Sequence, residues 1–181
     1  MPDWIKSFPQ DIYVNIKGPI NDAIDYMLHN WGGFFDGLRV LLRSLLNAIG
    51  SVVNLIPWWL LLVLVFVATY RMSRKWIQAV LYTALLFFIG AIGYWELMNE
   101  TLTIIITSVL ISMIIGLPIG VLISASKKAN AVIRPILDTM QTMPSFLYLI
   151  PAVMLLHLGN APALLATTIY AVPPVIRLTS H

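Results

Sequence analysis

Prolines inside two hydrophobic segments near the C-terminus constrain the fold of this chain more than any other feature. Pro144 and Pro151 interrupt the first segment, and Pro173 and Pro174 lie near the end of the second. A soluble core helix would be kinked or broken there at a cost of about 3 kcal/mol or more. Membrane helices tolerate such breaks where neighbouring helices or a water-filled cavity satisfy the freed carbonyl groups. The two segments therefore indicate broken helices at membrane depth, an arrangement typical of a substrate path.

Composition independently indicates an integral membrane protein. Of 181 residues, 59% are hydrophobic and only 10% are charged, and the mean hydropathy is +0.86. Soluble domains have about 45–50% apolar and 25% charged residues. The chain has no cysteine, which excludes a disulfide framework, a thiolate zinc site and a cysteine nucleophile. The net charge of +3 comes from short basic clusters beside apolar runs, and membrane topology explains that placement better than nucleic-acid binding.

Length and hydropathy predict an all-α polytopic membrane protein with about five transmembrane helices. A span needs about 20 apolar residues, or fewer where it is broken or bordered by an interfacial helix. The predicted spans are residues 52–70, 76–94, 102–124, 143–158 and 161–176. Tryptophan and tyrosine side chains lie near the ends of the first two spans, as in an interfacial aromatic belt.

Basic residues predict the orientation of these spans. They follow the first, third and fifth spans and are Arg71, Arg74, Lys75, Lys127, Lys128, Arg134 and Arg177. The opposite connections carry Glu96 and Glu100, or only uncharged residues and His157. The positive-inside rule then places the N-terminus outside and the C-terminus in the cytoplasm.

Residues 1–50 are predicted to form an external N-terminal tail that contains one amphipathic helix. Apolar residues recur at helical spacing over 34–49, with Asp36, Arg39 and Arg43 on the opposite face. This pattern fits a helix lying in the membrane interface, and equally a helix packed on the flank of the protein itself. Asn30 and the glycines 32–33 predict a break before the helix, and 1–29 is predicted to be irregular or weakly helical.

The third span carries a row of small residues. Its members follow one another at i+4 spacing and are Ser108, Ser112, Gly116, Gly120 and Ser124. Such a ridge lets a second helix approach closely, with a right-handed crossing. The alternative is chance enrichment, because small residues are common in membrane helices.

Polar and aromatic residues of the last two segments are candidates for a substrate path. Asp138, Gln141, Ser145 and Tyr148 fall at i, i+3, i+7 and i+10 of a continuous helix. Helix–helix hydrogen bonding explains such a stripe equally well. On the next segment Thr167 and Tyr170 are the corresponding candidates, and the two tyrosines are predicted to meet across the passage.

Catalytic and metal-binding motifs have little support in the sequence. It contains no GxSxG, HExxH or Walker A motif and no carboxylate pair inside a span. His157 has no second ligand nearby, so a metal site is not predicted. We therefore expect no catalytic residues and no metal.

Three ordered motifs resemble a known family. They are QTMPSFLYLIP at 141–151, LGNAP at 158–162 and IYAVPPVIR at 169–177. In this order they resemble the membrane subunit of binding-protein-dependent ABC importers, in the branch for glycine betaine, proline betaine and choline. The likeness is strong from about residue 101 and looser before it.

The resemblance implies a permease that is not itself an enzyme. Residues 51–100 would form two peripheral transmembrane helices, and 101–181 the N-terminal part of the permease transmembrane domain. The implied partners are an ATPase subunit that binds ATP, a periplasmic or lipid-anchored substrate-binding protein, and a second permease copy in the bilayer of the bacterial inner membrane. No cofactor is expected in this chain. The family continues past the position of Arg177 into a coupling loop and further spans, so the chain is expected to be truncated and inactive alone.

Two other classes are kept as alternatives. An ion-coupled secondary carrier would normally show ionisable residues in mid-span and an internal repeat, and the sequence offers one marginal aspartate and no repeat. A small membrane assembly protein would explain the lack of chemistry but not the paired proline-broken segments.

Overall fold

The computed structural model describes residues 17–180, and every regular element in that range is a helix. The seven helices are α1 Lys17–Asn54, α2 Trp58–Ser73, α3 Trp76–Ala91, α4 Trp95–Ser124, α5 Lys127–Thr142, α6 Phe146–Leu156 and α7 Asn160–Thr179. The all-helical architecture expected from the sequence is confirmed.

Helix α1 is longer than the predicted amphipathic helix. It runs unbroken for 38 residues, so the predicted break at Asn30 and glycines 32–33 is wrong. Of the two alternatives predicted for 1–29, irregular or weakly helical, residues 17–29 adopt the helical one. Residues 1–16 lie outside the described range. A glycine inside a helix costs only about 1 kcal/mol, and the apolar face continues on both sides of this pair. Pro19 is tolerated because it lies in the first turn, where its missing N–H has no helical partner.

The apolar face of α1 is divided between the protein and its surroundings. Leu42 and Leu46 are buried in a cluster with Leu156 of α6 and Leu164 of α7. Phe34, by contrast, is 61% exposed. One stripe of α1 thus packs on the flank of the protein, and the interfacial position of the exposed stripe stays a prediction.

Proline 57 separates α1 from α2. The two helices meet at 85°, and the predicted span 52–70 is therefore wrong at its start, because 52–54 still belong to α1. Pro57 has no amide hydrogen to continue the helix, and its ψ of 146° places it in an extended conformation. Helices α2 and α3 then pack mainly on each other.

A second sharp corner separates α5 from α6. These helices meet at 87°, and only 11 residues of the predicted span 143–158 form α6. At 1.5 Å per residue, α6 is about 16 Å long, whereas the hydrocarbon core of a bilayer is about 30 Å thick. In the described part of the chain, α4 and α7 are each long and apolar enough to cross a membrane. The number of possible crossings rises to four if the bent pairs α1–α2 and α5–α6 are each counted as one crossing.

Candidate functional site

Helices α4 and α7 share the largest interface between elements of the described chain. The predicted row of small residues lies largely within it: Ser108, Ser112, Gly116 and Gly120 are buried. The fifth member, Ser124, is exposed at the end of α4. The buried face of α4 thus combines small side chains with hydroxyl groups.

The two glycines allow α7 to approach the backbone of α4. A Cβ atom added to Gly116 would lie 2.8 Å from Cγ1 of Val175, and one added to Gly120 would lie 2.6 Å from Cβ of Thr179. Both distances are too short for real side chains, so even alanine would force the helices apart. Because the contacts advance in the same direction along both helices, α4 and α7 are parallel.

Most hydroxyl groups on the buried face of α4 are satisfied within the helix. Those of Thr107 and Ser112 donate to the carbonyl oxygens four residues earlier, at 2.6 and 2.7 Å. The buried hydroxyls of Ser108 and Thr168 have no hydrogen-bond partner among the described residues. Gly116 and Val175 face each other across the parallel helices. About two helical turns earlier on each helix, Ser108 and Thr168 therefore lie at the same level of the interface. This part of the interface therefore has unused hydrogen-bonding capacity.

A cavity of about 410 Å³ lies between α6 and α7. Three of the five predicted path residues, Ser145, Thr167 and Tyr170, line it together with Phe146 and Leu149. Tyr170 is 44% exposed within this chain. The cavity therefore combines two aromatic rings with two hydroxyl groups from serine and threonine.

Gln141 and Tyr148 lie outside the lining of this cavity. The predicted polar stripe required one continuous helix, and the corner between α5 and α6 breaks it. Pro144 cannot donate a helical hydrogen bond and favours an extended residue before it, and Met143 has a ψ of 134°. The hydroxyl of Tyr148 donates to the carbonyl oxygen of Met140 at 2.8 Å. Tyr170 lines this cavity and Tyr148 does not, and the meeting of the two tyrosines across a passage stays a prediction.

One charged contact was missed from the sequence. Arg177 of α7 forms a salt bridge with Asp138 of α5. From the sequence alone, Arg177 indicates membrane orientation and Asp138 belongs to a predicted polar stripe. The only signal for this salt bridge in the sequence was the opposite charge of two residues predicted near the same membrane surface. The parallel packing of α4 and α7 brings the two residues together.

Known proteins that are similar to this chain are membrane components of transport systems. Residues 108–181 match the family described as binding-protein-dependent transport system inner membrane component. The chain is 38% identical over 161 residues to the glycine betaine transport system permease protein OpuAB of Bacillus subtilis, covering 88% of this chain and 56% of that protein. It is 35% identical over 168 residues to the glycine betaine/carnitine transport permease protein GbuB of Listeria monocytogenes, covering 90% and 60%.

A relative from Escherichia coli matches almost the whole chain. The glycine betaine/proline betaine transport system permease protein ProW is 33% identical over 190 aligned residues, covering 98% of this chain and 53% of that protein. The chain thus spans a little more than half the length of these relatives. Family match and relatives agree, and the chain belongs to the inner membrane components of binding-protein-dependent transport systems, in the branch of the glycine betaine, proline betaine and choline permeases.

Proposed function

We propose that this chain is a permease subunit of an ATP-driven importer for quaternary ammonium osmolytes such as glycine betaine, proline betaine or choline. The observation that carries the proposal is its 33–38% identity, over most of its length, to permeases named for glycine betaine. In this role the chain supplies part of the pathway and performs no chemical step itself.

The cavity between α6 and α7 supports this substrate class. A trimethylammonium group cannot donate a hydrogen bond, so aromatic faces are its natural contacts, each contributing roughly 0.5–2 kcal/mol. Tyr170 and Phe146 offer two such faces. Ser145 and Thr167 line the same cavity. The Thr167 hydroxyl already donates to the carbonyl oxygen of Ala163 at 2.8 Å, so the Ser145 hydroxyl would donate to the polar end of the substrate.

The proposed assembly includes three further components. An ATPase subunit binds ATP in the cytoplasm, a periplasmic or lipid-anchored binding protein delivers the substrate from outside, and a second permease copy completes the pathway. The chain needs no cofactor of its own in this scheme. Its N-terminus lies outside, and the ends of α4 and α7 near Lys127 and Arg177 face the cytoplasm.

Uptake of labelled glycine betaine tests the proposal. Cells that lack other osmolyte importers would express the complete transport system, with either the normal ATPase subunit or a variant unable to hydrolyse ATP. We expect uptake only with the active ATPase, and we expect it to persist when ionophores collapse the ion gradients while ATP is maintained. Uptake that follows the ion gradients would identify a secondary carrier, and a stable complex without uptake would identify an assembly protein.

A further inference from the structure

The adjacent prolines Pro173 and Pro174 lie inside α7, which remains helical from Asn160 to Thr179. In an α-helix the carbonyl oxygen of residue i accepts from the N–H of residue i+4, and in a tighter turn from that of residue i+3. For Tyr170 these donors would belong to residues 174 and 173, and proline has no N–H. The carbonyl oxygen of Tyr170 therefore has neither of its usual helical partners.

This double loss occurs once in the sequence, because residues 173 and 174 are the only pair of adjacent prolines in the chain. Pro118 of α4 shows the ordinary case. It deprives the carbonyl oxygen of Ile114 of one donor, but the N–H of Leu117 can still donate to that oxygen. A single proline thus leaves an alternative donor within the helix, whereas the pair leaves none of the usual ones.

The neighbouring hydroxyl groups of α7 do not replace the missing donors. The hydroxyl of Thr167 donates to the carbonyl oxygen of Ala163 at 2.8 Å. The hydroxyl of Thr168 has no hydrogen-bond partner within residues 17–180. The carbonyl oxygen of Tyr170 is therefore left to a group from outside the helix.

This carbonyl lies on the face of α7 that lines the α6–α7 cavity. Ala163, Thr167 and Tyr170 recur at helical spacing, and all three line the cavity. Pro174 follows Tyr170 by four residues and so continues the same face. Since a helical carbonyl points toward the residue four positions later, the oxygen of Tyr170 lies at the C-terminal edge of the cavity lining.

The same carbonyl lies near the middle of the membrane. The helix from Asn160 to Tyr170 rises about 15 Å at 1.5 Å per residue, which is about half of a hydrocarbon core 30 Å thick. At that depth a carbonyl without a donor is tolerated only where it is buried in protein or lines a water-filled cavity. Backbone carbonyls freed in this way coordinate cations in other transporters. The oxygen of Tyr170 is thus placed to present partial negative charge to a cation in the cavity.

We infer that the carbonyl oxygen of Tyr170 forms, with the rings of Tyr170 and Phe146, a subsite for a quaternary ammonium group, and that Pro173 and Pro174 keep the oxygen free for it. The methyl groups of such a cation make weak C–H···O contacts, so the oxygen adds to the attraction of the aromatic faces. The inference rests on the proposed function for its substrate class. It makes the proline pair a determinant of substrate affinity.

Restoring one N–H group tests the inference. Pro174→Ala supplies a donor to the carbonyl oxygen of Tyr170 and leaves the side chains of the cavity lining unchanged. Alanine is also the better helix former, so the melting temperature of the complete transporter should be unchanged or higher while cation binding weakens. Lactic acid in place of Pro174, introduced by nonsense suppression, has the side chain of alanine but no N–H group. It should therefore retain the binding.

Two leucines of α6 provide the measurement in a chain without cysteine. Leu149 lines the cavity and Leu147 does not, and they are 37% and 41% exposed. The complete transporter, in detergent and without binding protein, would carry Leu149→Cys or Leu147→Cys and react with a small water-soluble thiol reagent. We expect glycine betaine to slow labelling of Leu149→Cys severalfold and to leave that of Leu147→Cys unchanged. Tert-butylacetate has the shape of glycine betaine without its positive charge, so it should protect much less.

The variants are then compared with Leu149→Cys as the reporter. Pro174→Ala should reduce the protection by glycine betaine to that given by tert-butylacetate, whereas the lactic acid variant should retain it. Pro118→Ala is the control for proline removal and should also retain it, because Pro118 lies outside the cavity lining.

Several results would overturn the inference. Equal protection by the two solutes in the parent transporter would do so whatever the variants show. Full protection in Pro174→Ala, or loss of protection in the lactic acid variant, would separate binding from the N–H group. A lower melting temperature or failed assembly of Pro174→Ala would assign the proline pair to packing instead.

Uptake separates this inference from the proposed function. ATP-dependent uptake of glycine betaine by the parent transporter with its binding protein is measured in parallel. Uptake without protection of Leu149→Cys would refute the subsite alone. Absence of uptake for every quaternary ammonium compound would refute the proposed function.

Discussion

The guanidinium group of Arg177 and the carboxylate of Asp138 form a salt bridge that joins the C-terminal part of α7 to α5. Both side chains remain more than a third exposed, at 38% and 57%. Solvent therefore screens the pair, and exposed pairs of this kind contribute between nothing and about 1 kcal/mol. The contact positions α5 relative to α7 more than it stabilises the fold.

Removing this salt bridge should have a small effect that depends on salt. We expect Asp138→Asn to lower the free energy of unfolding by less than about 1 kcal/mol at low salt. The difference should vanish near 1 M salt, where the screening length is about 3 Å. Denaturation of the purified protein at the two salt concentrations measures it. Lys128→Gln is the control, because Lys128 is also an exposed charge of α5 and has no salt bridge within 18–180. A large loss that persists at high salt would contradict the expectation.

Adding one methyl group to the α4–α7 interface should be costly. Gly120→Ala would place its Cβ 2.6 Å from Cβ of Thr179 and 3.0 Å from the carbonyl oxygen of Ile176. Since the Ile176 oxygen belongs to the backbone of α7, relief requires the helices to separate. Overpacking of this kind costs about 1–3 kcal/mol, which should appear as a lower melting temperature in detergent.

Gly37→Ala is the control for that substitution. Gly37 lies inside α1, and a Cβ atom there would meet nothing within 4 Å. Alanine is about 1 kcal/mol more favourable than glycine in a helix, so this variant should melt at the same or a higher temperature. Equal destabilisation by both substitutions would show that α7 does not contact Gly120 as closely as described.

Single cysteines should report the proposed membrane orientation. Cysteine in place of Glu96 should react with an impermeant thiol reagent in intact cells, because the proposed orientation places the start of α4 outside. Cysteine in place of Ser73, between α2 and α3, should react only after the cells are opened, because the neighbouring Arg71, Arg74 and Lys75 favour the cytoplasm. External labelling at Ser73 would reverse the orientation.

The two tyrosines of the last segments should respond differently to substitution. Tyr170→Leu removes an aromatic face from the α6–α7 cavity, and we expect uptake by the complete transporter to slow severalfold while Tyr170→Phe retains most of it. Tyr148→Phe removes only the hydroxyl that donates to Met140. It should lower stability by about 1 kcal/mol and leave uptake nearly unchanged. Normal uptake in Tyr170→Leu would remove Tyr170 from the path.

Structural features that depend only on neighbours along one helix could be predicted from local patterns in the sequence. The recurrence of small residues on α4 could be read directly because i+4 spacing defines a helical face, and hydropathy alone predicted an all-helical membrane protein. The Pro144 break was also visible in the sequence. Its consequence was not, because the predicted stripe from Gln141 to Tyr148 assumes a continuous helix, whereas the chain bends there by 87°.

Features that depend on contacts between distant segments escaped prediction. The Arg177–Asp138 pair requires the parallel arrangement of α4 and α7, and no spacing within one helix encodes it. The predicted break of α1 at glycines 32–33 is an error of the opposite kind. A local rule favoured a break there, but α1 continues through both glycines, and the apolar residues that follow them, from Phe35 to Leu46, pack on α6 and α7.

The shortness of α6 has a consequence for how the protein enters the membrane. Because α4 and α7 run in the same direction, the chain between them must return across the bilayer, and α6 has only 11 residues for that return. Such a segment is too short to be held in the hydrocarbon core by its own hydrophobicity. Its buried residue Leu156 packs against Leu164 of α7, which the ribosome makes later. We therefore expect the return segment to become stable only after α7 has been synthesised, so that this part of the protein inserts as a unit rather than one helix at a time.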